Sequence, residues 1–468
     1  MTLLSGPGSG VCFPFRKPGA PILGEVESAA ATAHDRPAGR RAAGIAFFAL
    51  PLVAWSALIV AGWAWGNALI ESTGGIGLGA PPLFGAWELR LDPAVLLPAG
   101  FAALAVVFMP PLATSLSWPR LLLFGAAGAL GWSLALALTA GPSGVLDPLE
   151  SPFEYLAGVP FVSSPGDYLQ SFTDRLGTYP VHVQSHPPGL VMALWGLEQI
   201  GLGGSGPASA LVIVAGASAV PAVLITARSV AGEEAARRAA PFLVLAPAAV
   251  WIATSADALF MGAGAWAVAA SVLSTGATGT RSRWLAAAGG ALFGLCALLS
   301  YGLVLLAVIP LALAAMRRRI VPLAITAACA AGVILIPLVA GFWWFDGYLA
   351  VREEYLASVA KDRPYDYFLV NNLAAFAIAT GPVVALALAR VRLRVAWALP
   401  LAALAAVALA DLSGMSKGEV ERIWLPFLPW VMLATAALPW TRRGQIAGLL
   451  VLQAAVGIAV QVGVRTPW

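Results

Sequence analysis

Charge is scarce in this chain. Lys, Arg, Asp and Glu make up 11% of its 468 residues, against 60% hydrophobic side chains, where a soluble domain carries about a quarter charged residues. So little polar surface excludes a water-exposed globular protein and places the chain in lipid, as a mean hydropathy of +0.84 also requires. Cysteine is nearly absent too: the 3 are Cys12 in the N-terminal stretch and Cys296 and Cys329 inside apolar runs. None stands in a Cys-x-x-Cys spacing, so neither a disulfide framework nor a zinc site is expected. No His, Cys and Asp cluster at metal-ligand spacing. A divalent cation, Mg or Mn, held by an acidic loop is left open, and no other cofactor is expected. The net charge of +4 does not point to nucleic acid, because the Arg residues fall in short clusters between apolar runs, the arrangement that orients helices in a bilayer. The glycines of Gly6-Pro7-Gly8-Ser9-Gly10 lack a preceding strand and a following Lys-Ser/Thr, so they form no phosphate loop.

What is abundant is apolar length. A hydrocarbon core of roughly 30 Å needs about 20 apolar residues per helix. Runs of that kind lie near 44–67, 93–113, 119–140, 206–227, 239–255, 258–275, 284–301, 302–316, 320–341, 371–390, 395–411, 423–439 and 445–463. The expected fold is therefore an all-α polytopic membrane protein of about 13 transmembrane helices, behind a flexible cytoplasmic tail over residues 1–42. Arginines near 36–41, 120, 228–238, 281–283, 317–319, 390–394 and 442–443 fall in alternate loops, which the positive-inside rule makes cytoplasmic. The N-terminus is then inside and, with an odd count, the C-terminus outside. The Ala-, Gly- and Arg-rich composition points to a GC-rich bacterium and its cytoplasmic (inner) membrane.

The opposite loops, 68–92, 141–205, 342–370 and 412–422, are long, acidic and aromatic. Long loops rich in aromatics are usually functional, so the working face is expected outside. Loop 141–205 carries Asp147, Glu150, Glu154, Asp167 and Asp174 with His182 and His186. After His186-Pro187-Pro188-Gly189 a short apolar stretch, 190–202, reads as a juxtamembrane helix with prolines at its first turn. Asp257 stands at the mouth of an apolar run, where an acid is functional, ion-paired or a helix cap. Arg422 precedes Ile423-Trp424-Leu425 at another span mouth, where an Arg can meet a phosphate through two donors or pair with Glu419 or Glu421. Loop 342–370 adds Trp343, Trp344, Tyr348, Tyr355, Tyr365 and Tyr367, suited to stacking on sugars or to an interfacial belt.

An acidic, aromatic outer loop, a Pro-Pro juxtamembrane helix and a luminal Asp together resemble the GT-C superfamily of polyprenyl-phosphate-sugar-dependent glycosyltransferases. The nearest branches in style are the protein O-mannosyltransferases and the lipid A aminoarabinose transferases. Glu154-Tyr155, His186-Pro187-Pro188-Gly189, Thr254-Ser255-Ala256-Asp257-Ala258 and the stretch from Ser416 to Pro426 carry the likeness. The chain departs from the family in its extra spans before the acidic loop and in lacking an Asp-Glu pair after them. The resemblance implies a polyprenyl-phosphate sugar donor, an envelope glycan, glycolipid or protein acceptor, and inversion at the anomeric carbon. It implies a carboxylate base, Glu154 before Asp147 and Asp174. Acceptor contacts would come from His186, His182, Tyr155, Asp257 and Tyr301, and donor-phosphate contacts from Arg422, Lys417, Arg363 and Lys361. A transporter or lipid flippase is the rival expectation, and a non-catalytic GT-C homologue the third.

Overall fold

The computed structural model describes residues 38–253, 255–391, 394–440 and 442–466. Most of the expected tail, with Cys12 and Gly6 to Gly10, lies outside those residues. The chain divides into two compact units, Met1–Ala49 and Leu50–Trp468. Of the first, the described part is the start of helix α1 (Ala38–Thr73), so helix already replaces the last residues of the expected tail.

The second unit is helical, with one two-stranded ribbon. Strand β1 (Ala86–Trp87) pairs antiparallel with β2 (Val464–Arg465) at the end of the chain. Helices α2 (Leu96–Ser115) and α3 (Trp118–Ala137) follow the first span. The segment 141–205 then holds four short helices: α4 (Ser143–Glu150), α5 (Pro165–Ser171), α6 (Val181–Gln184) and α7 (Gly189–Gln199). Helix α7 forms where the short apolar stretch 190–202 was expected to be helical, with Pro188 at its N-cap and Leu190, Val191 and Leu194 buried. After it come α8 (Ser205–Ala231), α9 (Glu233–Val244), α10 (Asp257–Gly276) and α11 (Gly279–Leu299). Then follow α12 (Val308–Arg317), α13 (Ile320–Ile334), α14 (Trp344–Ala357), α15 (Tyr365–Thr380) and α16 (Pro382–Leu388). The chain closes with α17 (Ala398–Leu412), α18 (Val420–Ile423), α19 (Leu428–Met432) and α20 (Arg443–Gly463).

This is a polytopic all-α membrane protein. Among the described residues 8 helices are long and apolar enough to cross a membrane, or 9 if one bent pair counts as a span. The expectation of about 13 is not met by length, and each shortfall has a local cause. The run 239–255 breaks where α9 ends and a 3-10 turn, Pro247–Trp251, begins. The run 371–390 bends by 101° between α15 and α16, where Gly381 takes a φ of +83° that side chains resist. The runs at 302–316, 395–411 and 423–439 form short helices, Tyr301–Arg317, Ala398–Leu412 and Leu428–Ala437.

In lipid a broken helix leaves carbonyls that water cannot satisfy. Both breaks are closed by side chains. Trp132 Nε1 donates to Ala246 O at 3.0 Å, and Gln453 Nε2 donates to Thr380 O at 2.6 Å. Close packing comes from glycine: a Cβ on Gly262 would stand 2.1 Å from Ala215 O, and one on Gly290 would stand 2.3 Å from Thr326 O. Outward faces stay apolar, with Leu50, Leu104, Val107, Ile320 and Val339 exposed, as a lipid-facing surface requires.

The ends of the helices differ in chemistry. At one, Arg237 donates to Ala113 O, Arg317 to Thr275 Oγ1 and Arg319 to Ala277 O, and the Arg228 guanidinium lies 4.5 Å from the Trp118 ring centre. At the other lie the β-ribbon, α4 to α7, α14 and α18. There Trp344 Nε1 caps Ala297 O at 2.8 Å and Asn371 Nδ2 reaches Pro82 O at 3.1 Å.

Candidate functional site

Arg422 is the centre of a buried polar cluster at the loop-rich end. It sits on α18, a single turn that begins after Gly418 (φ +90°) and Glu419 (φ +61°). A non-glycine residue held at positive φ stores roughly 1–3 kcal/mol. That backbone turns the Glu419 carboxylate back onto its own helix, with Oε2 2.9 Å from Arg422 Nη2. Arg422 Nη1 meets Asp257 Oδ2 at 2.6 Å. Asp257 is thus an ion-pair partner at the start of α10, and its other contact is Ser255 Oγ, which donates to Oδ2 at 2.7 Å. Thr254 of the same motif lies outside the described residues.

The third partner comes from the long segment 141–205. His182 is fixed on α6 by its backbone N–H, which donates to Phe153 O at 3.1 Å. Its Nε2 lies 3.0 Å from Arg422 Nη2, and its Nδ1 lies 2.8 Å from Glu154 Oε1. A guanidinium has only donors, so Nε2 must accept and the imidazole proton belongs on Nδ1, facing Glu154. Glu154 is 2% exposed, and its Oε2 is buried without a hydrogen-bond partner. The result is a buried carboxylate with one oxygen 2.8 Å from the His182 imidazole and, among the described residues, no hydrogen-bond partner at the other.

Burial opposes the charge on Arg422, yet Asp257, Glu419 and Glu154 together hold its guanidinium protonated well above its ordinary range. Burial raises the Tyr155 hydroxyl, helped by the Asp257 and Glu154 charges, so it stays a neutral donor. The Tyr155 ring lies 5.6 Å from that of His186 and 6.3 Å from that of Phe260. Burial pushes the His186 imidazole down to about 4, and its Nδ1 lies 2.9 Å from His182 O.

Of the residues named from sequence, Glu154, His182, Asp257 and Arg422 meet in one network, with Tyr155 and His186 packed beside it. Asp147 and Asp174 are exposed, as is Lys361, and none of the three takes part in the described ion pairs. Lys417 Nζ is spent on the carbonyls of Ala360 and Arg363, each at 2.9 Å. Arg363 donates to the carbonyls of Lys417 and Gly77, tying three loops together. Tyr301 belongs to a separate aromatic group, 5.1 Å from Trp344 and 5.6 Å from Tyr348. Glu421, the alternative ion partner for Arg422, turns away: its Oε1 accepts from Phe84 N at 2.8 Å, and burial raises its carboxyl to about 7. Among the described residues no group of three or more His, Cys, Asp or Glu is arranged to hold a metal, and two nearby carboxylates, Asp257 and Glu419, are already paired to Arg422.

Glu419 was visible in sequence as a partner for Arg422, but not as one wall of the site. The Gly418-Glu419 step was its one sequence signal. No family model, no curated protein and no solved structure is significantly similar to this chain.

Proposed function

We propose that the chain is an inverting membrane glycosyltransferase of the GT-C type. In this reading it takes a sugar from a polyprenyl-phosphate donor at the outer face of a bacterial cytoplasmic membrane and passes it to an envelope glycan, glycolipid or protein. The support is the meeting of Glu154, His182, Asp257 and Arg422, which lie 240 and 165 residues apart along the pairs that join them. Glu154, Asp257 and Arg422 belong to three of the separate stretches that carry the family resemblance. Chance burial of Glu154, Asp257 and Arg422 together at one end of an apolar bundle is unfavourable, because each unpaired charge there costs several kcal/mol.

Glu154 Oε2 is the base in this reading. It takes the proton of the acceptor hydroxyl as that oxygen bonds to the anomeric carbon, while the bond from that carbon to the phosphate oxygen breaks and the lipid phosphate leaves. His182 orients Glu154, and Arg422 fixes the His182 ring through the contact at Nε2. Arg422 acts as a positioning residue, since its donors are engaged by Asp257, Glu419 and His182. The thirteen apolar segments are read as thirteen crossings, short and broken ones included. The arginine-rich end is cytoplasmic and the cluster extracytoplasmic.

One observation favours a carrier instead: the 101° bend between α15 and α16, since broken spans line transport sites. Against it, the freed Thr380 carbonyl is taken up by Gln453, and the charged cluster lies elsewhere. The deciding experiment offers radiolabelled polyprenyl-phosphate sugars and envelope-lipid extract to purified protein in nanodiscs. Label moving to a new product, and lost in Glu154→Gln without loss of folding, upholds the enzyme. Transfer undiminished in Glu154→Gln moves the base elsewhere. No transfer from any donor sinks the glycosyltransferase and leaves a carrier or a non-catalytic homologue, which substrate flux into proteoliposomes separates.

A further inference from the structure

The arginine-rich end of the bundle divides into two zones. Around the turn between α8 and α9 the arginines have acids of their own: Glu233 pairs with Arg228 at 2.8 Å and with Arg237 at 2.7 Å, and Glu234 pairs with Arg238. The other zone has none. Between Asp257 and Asp346 the chain holds five Arg and no Asp or Glu. Those two acids stand at the opposite end, in the first turns of α10 and α14.

Packing gathers the arginines of that stretch. Arg317 Nη1 donates to Thr275 Oγ1 at 2.8 Å and Arg319 Nη2 to Ala277 O at 2.7 Å, which sets the α12–α13 turn against the α10–α11 turn. From there α11 and α13 run side by side in the same direction. Thr326 Oγ1 donates to Ala286 O at 3.1 Å, and farther along both helices a Cβ on Gly294 would stand 2.5 Å from Val333 Cβ. Traced back to the helix starts, the same register brings Arg281 and Arg283 level with Arg318 and Ile320. Arg281, Arg283 and Arg318 are exposed, and their side chains enter none of the described hydrogen bonds or ion pairs. Arg318 also sits at a φ of +53°, a helix-ending position that glycine fills without strain.

Apolar surface surrounds these charges. Trp284 is 72% and Ile320 77% exposed, with Met316 and Val321 exposed beside them. Ile320 opens the apolar helix that runs to Ala340, and in a membrane protein its bare face meets acyl chains. Its first turn therefore lies where acyl chains give way to headgroups, the depth that suits an exposed Trp. An Arg there lays its stem on apolar surface and its guanidinium among the headgroups. With no carboxylate of its own nearby, the zone takes its counter-charge from the leaflet.

We infer that α11 and α13 form, at the arginine-rich end, a surface that binds the headgroup of an anionic phospholipid through Arg281, Arg283 and Arg318, with Trp284 and Ile320 against its acyl chains. The surface lies at the other end of the bundle from the Glu154–Arg422 cluster and needs only that the chain sits in a membrane. It holds whether or not the chain transfers sugar. Arginines that merely orient the helices would count alike wherever they stand at that end. A headgroup site sets Arg281 and Arg283 apart from Arg442 and Arg443, which are exposed at the start of α20.

The test uses full-length protein in a neutral glycoside detergent at constant ionic strength. Its melting temperature is followed against dioleoyl phosphatidylglycerol, dioleoyl phosphatidylcholine and inorganic phosphate. A ligand bound by the native state alone raises the melting temperature saturably. Phosphatidylglycerol should do so, and the zwitterionic lipid with the same chains should give a smaller shift. Arg281→Gln with Arg283→Gln removes two exposed side chains and leaves folding intact. It should weaken phosphatidylglycerol binding about thirtyfold, from about fivefold for each arginine near a headgroup. Arg442→Gln with Arg443→Gln removes the same charge from the same end and should leave that affinity unchanged. Arg318→Gly should weaken binding while raising the lipid-free melting temperature, because it relieves the turn. Equal responses to the two lipids, or equal losses in the two double variants, overturn the inference. Stabilisation by inorganic phosphate alone also overturns it, in favour of a free-anion site, and so does a lipid-free dimer that the Arg281 and Arg283 substitutions dissociate, which would give the surface to a second copy of the chain.

Discussion

Arg422→Gln tests the core of the site. Arg422 joins Asp257 at 2.6 Å and Glu419 at 2.9 Å. Asp257 is 3% exposed, so without the guanidinium its carboxylate is a buried charge with a single hydroxyl donor, Ser255. Removing one partner of such a pair costs about 3–5 kcal/mol. Glu419, with a side chain 20% exposed, keeps water and adds little, about 0–1 kcal/mol. Arg422→Gln should therefore lower stability by about 3–5 kcal/mol, nearly all of it through Asp257. Asp257→Asn combined with Arg422→Gln removes both charges and should recover about half of that loss, because the penalty is an orphaned charge and not a lost attraction. Arg422→Lys keeps the charge but cannot reach two carboxylates and an imidazole at once, so it should fall between wild type and Gln. The assay is unfolding in mixed detergent micelles titrated with dodecyl sulfate, read from the fluorescence of the chain's 17 tryptophans. A loss under about 1 kcal/mol in Arg422→Gln, the size of an exposed pair, would refute the buried pair. A double variant as unstable as the sum of the singles would refute the coupling.

Glu421 and His186 give pH predictions of opposite sign. The Glu421 carboxyl is raised by burial to about 7, so the folded state binds more protons than the unfolded one between about 4.5 and 7, and stability falls as pH rises through that window. Glu421→Gln should therefore be the more stable form above pH 7, by up to about 3 kcal/mol, and match wild type near pH 4; equal stability at pH 8 would place Glu421 in contact with water. His186, pushed down to about 4, binds fewer protons when folded, so stability is lost as pH falls from about 6.5 toward 4. His186→Phe should flatten the acid limb of the melting-temperature profile, and an unchanged limb would remove His186 as its source. Gly262→Val should loosen the crossing of α8 and α10, since its Cβ would stand 2.1 Å from Ala215 O; the loss should be about 1–3 kcal/mol, and wild-type stability would show that the helices part without cost.

How far the chain could be read by itself depended on which physics was local. Apolar runs are local, so the membrane class, the helical architecture and the positions of the apolar segments were all legible. Their lengths as helices were not. Whether 239–255 or 371–390 continues as one rod depends on neighbours that satisfy the broken backbone, Trp132 for Ala246 and Gln453 for Thr380. Periodicity carries no trace of either partner. The rows of arginine were equally plain, because helix ends in sequence are helix ends in space.

The candidate site was legible as an inventory and not as an arrangement. Asp257 and Arg422 stood out because ionisable groups at the mouths of apolar runs are costly to bury, and Glu154 and His182 as an acid and an imidazole in the long acidic loop 141–205. Composition could not tell that Glu154 is buried beside His182 while Asp147 and Asp174 are exposed. Nor could it separate Arg422 as a phosphate ligand from Arg422 as an ion-pair hub, since that choice rests on where Asp257 and Glu419 arrive. The sequence alone determined the solvent this protein lives in and the helices it makes there. Which polar groups face one another was decided by the tertiary structure, because contacts between residues hundreds of positions apart exist only once the helices have packed.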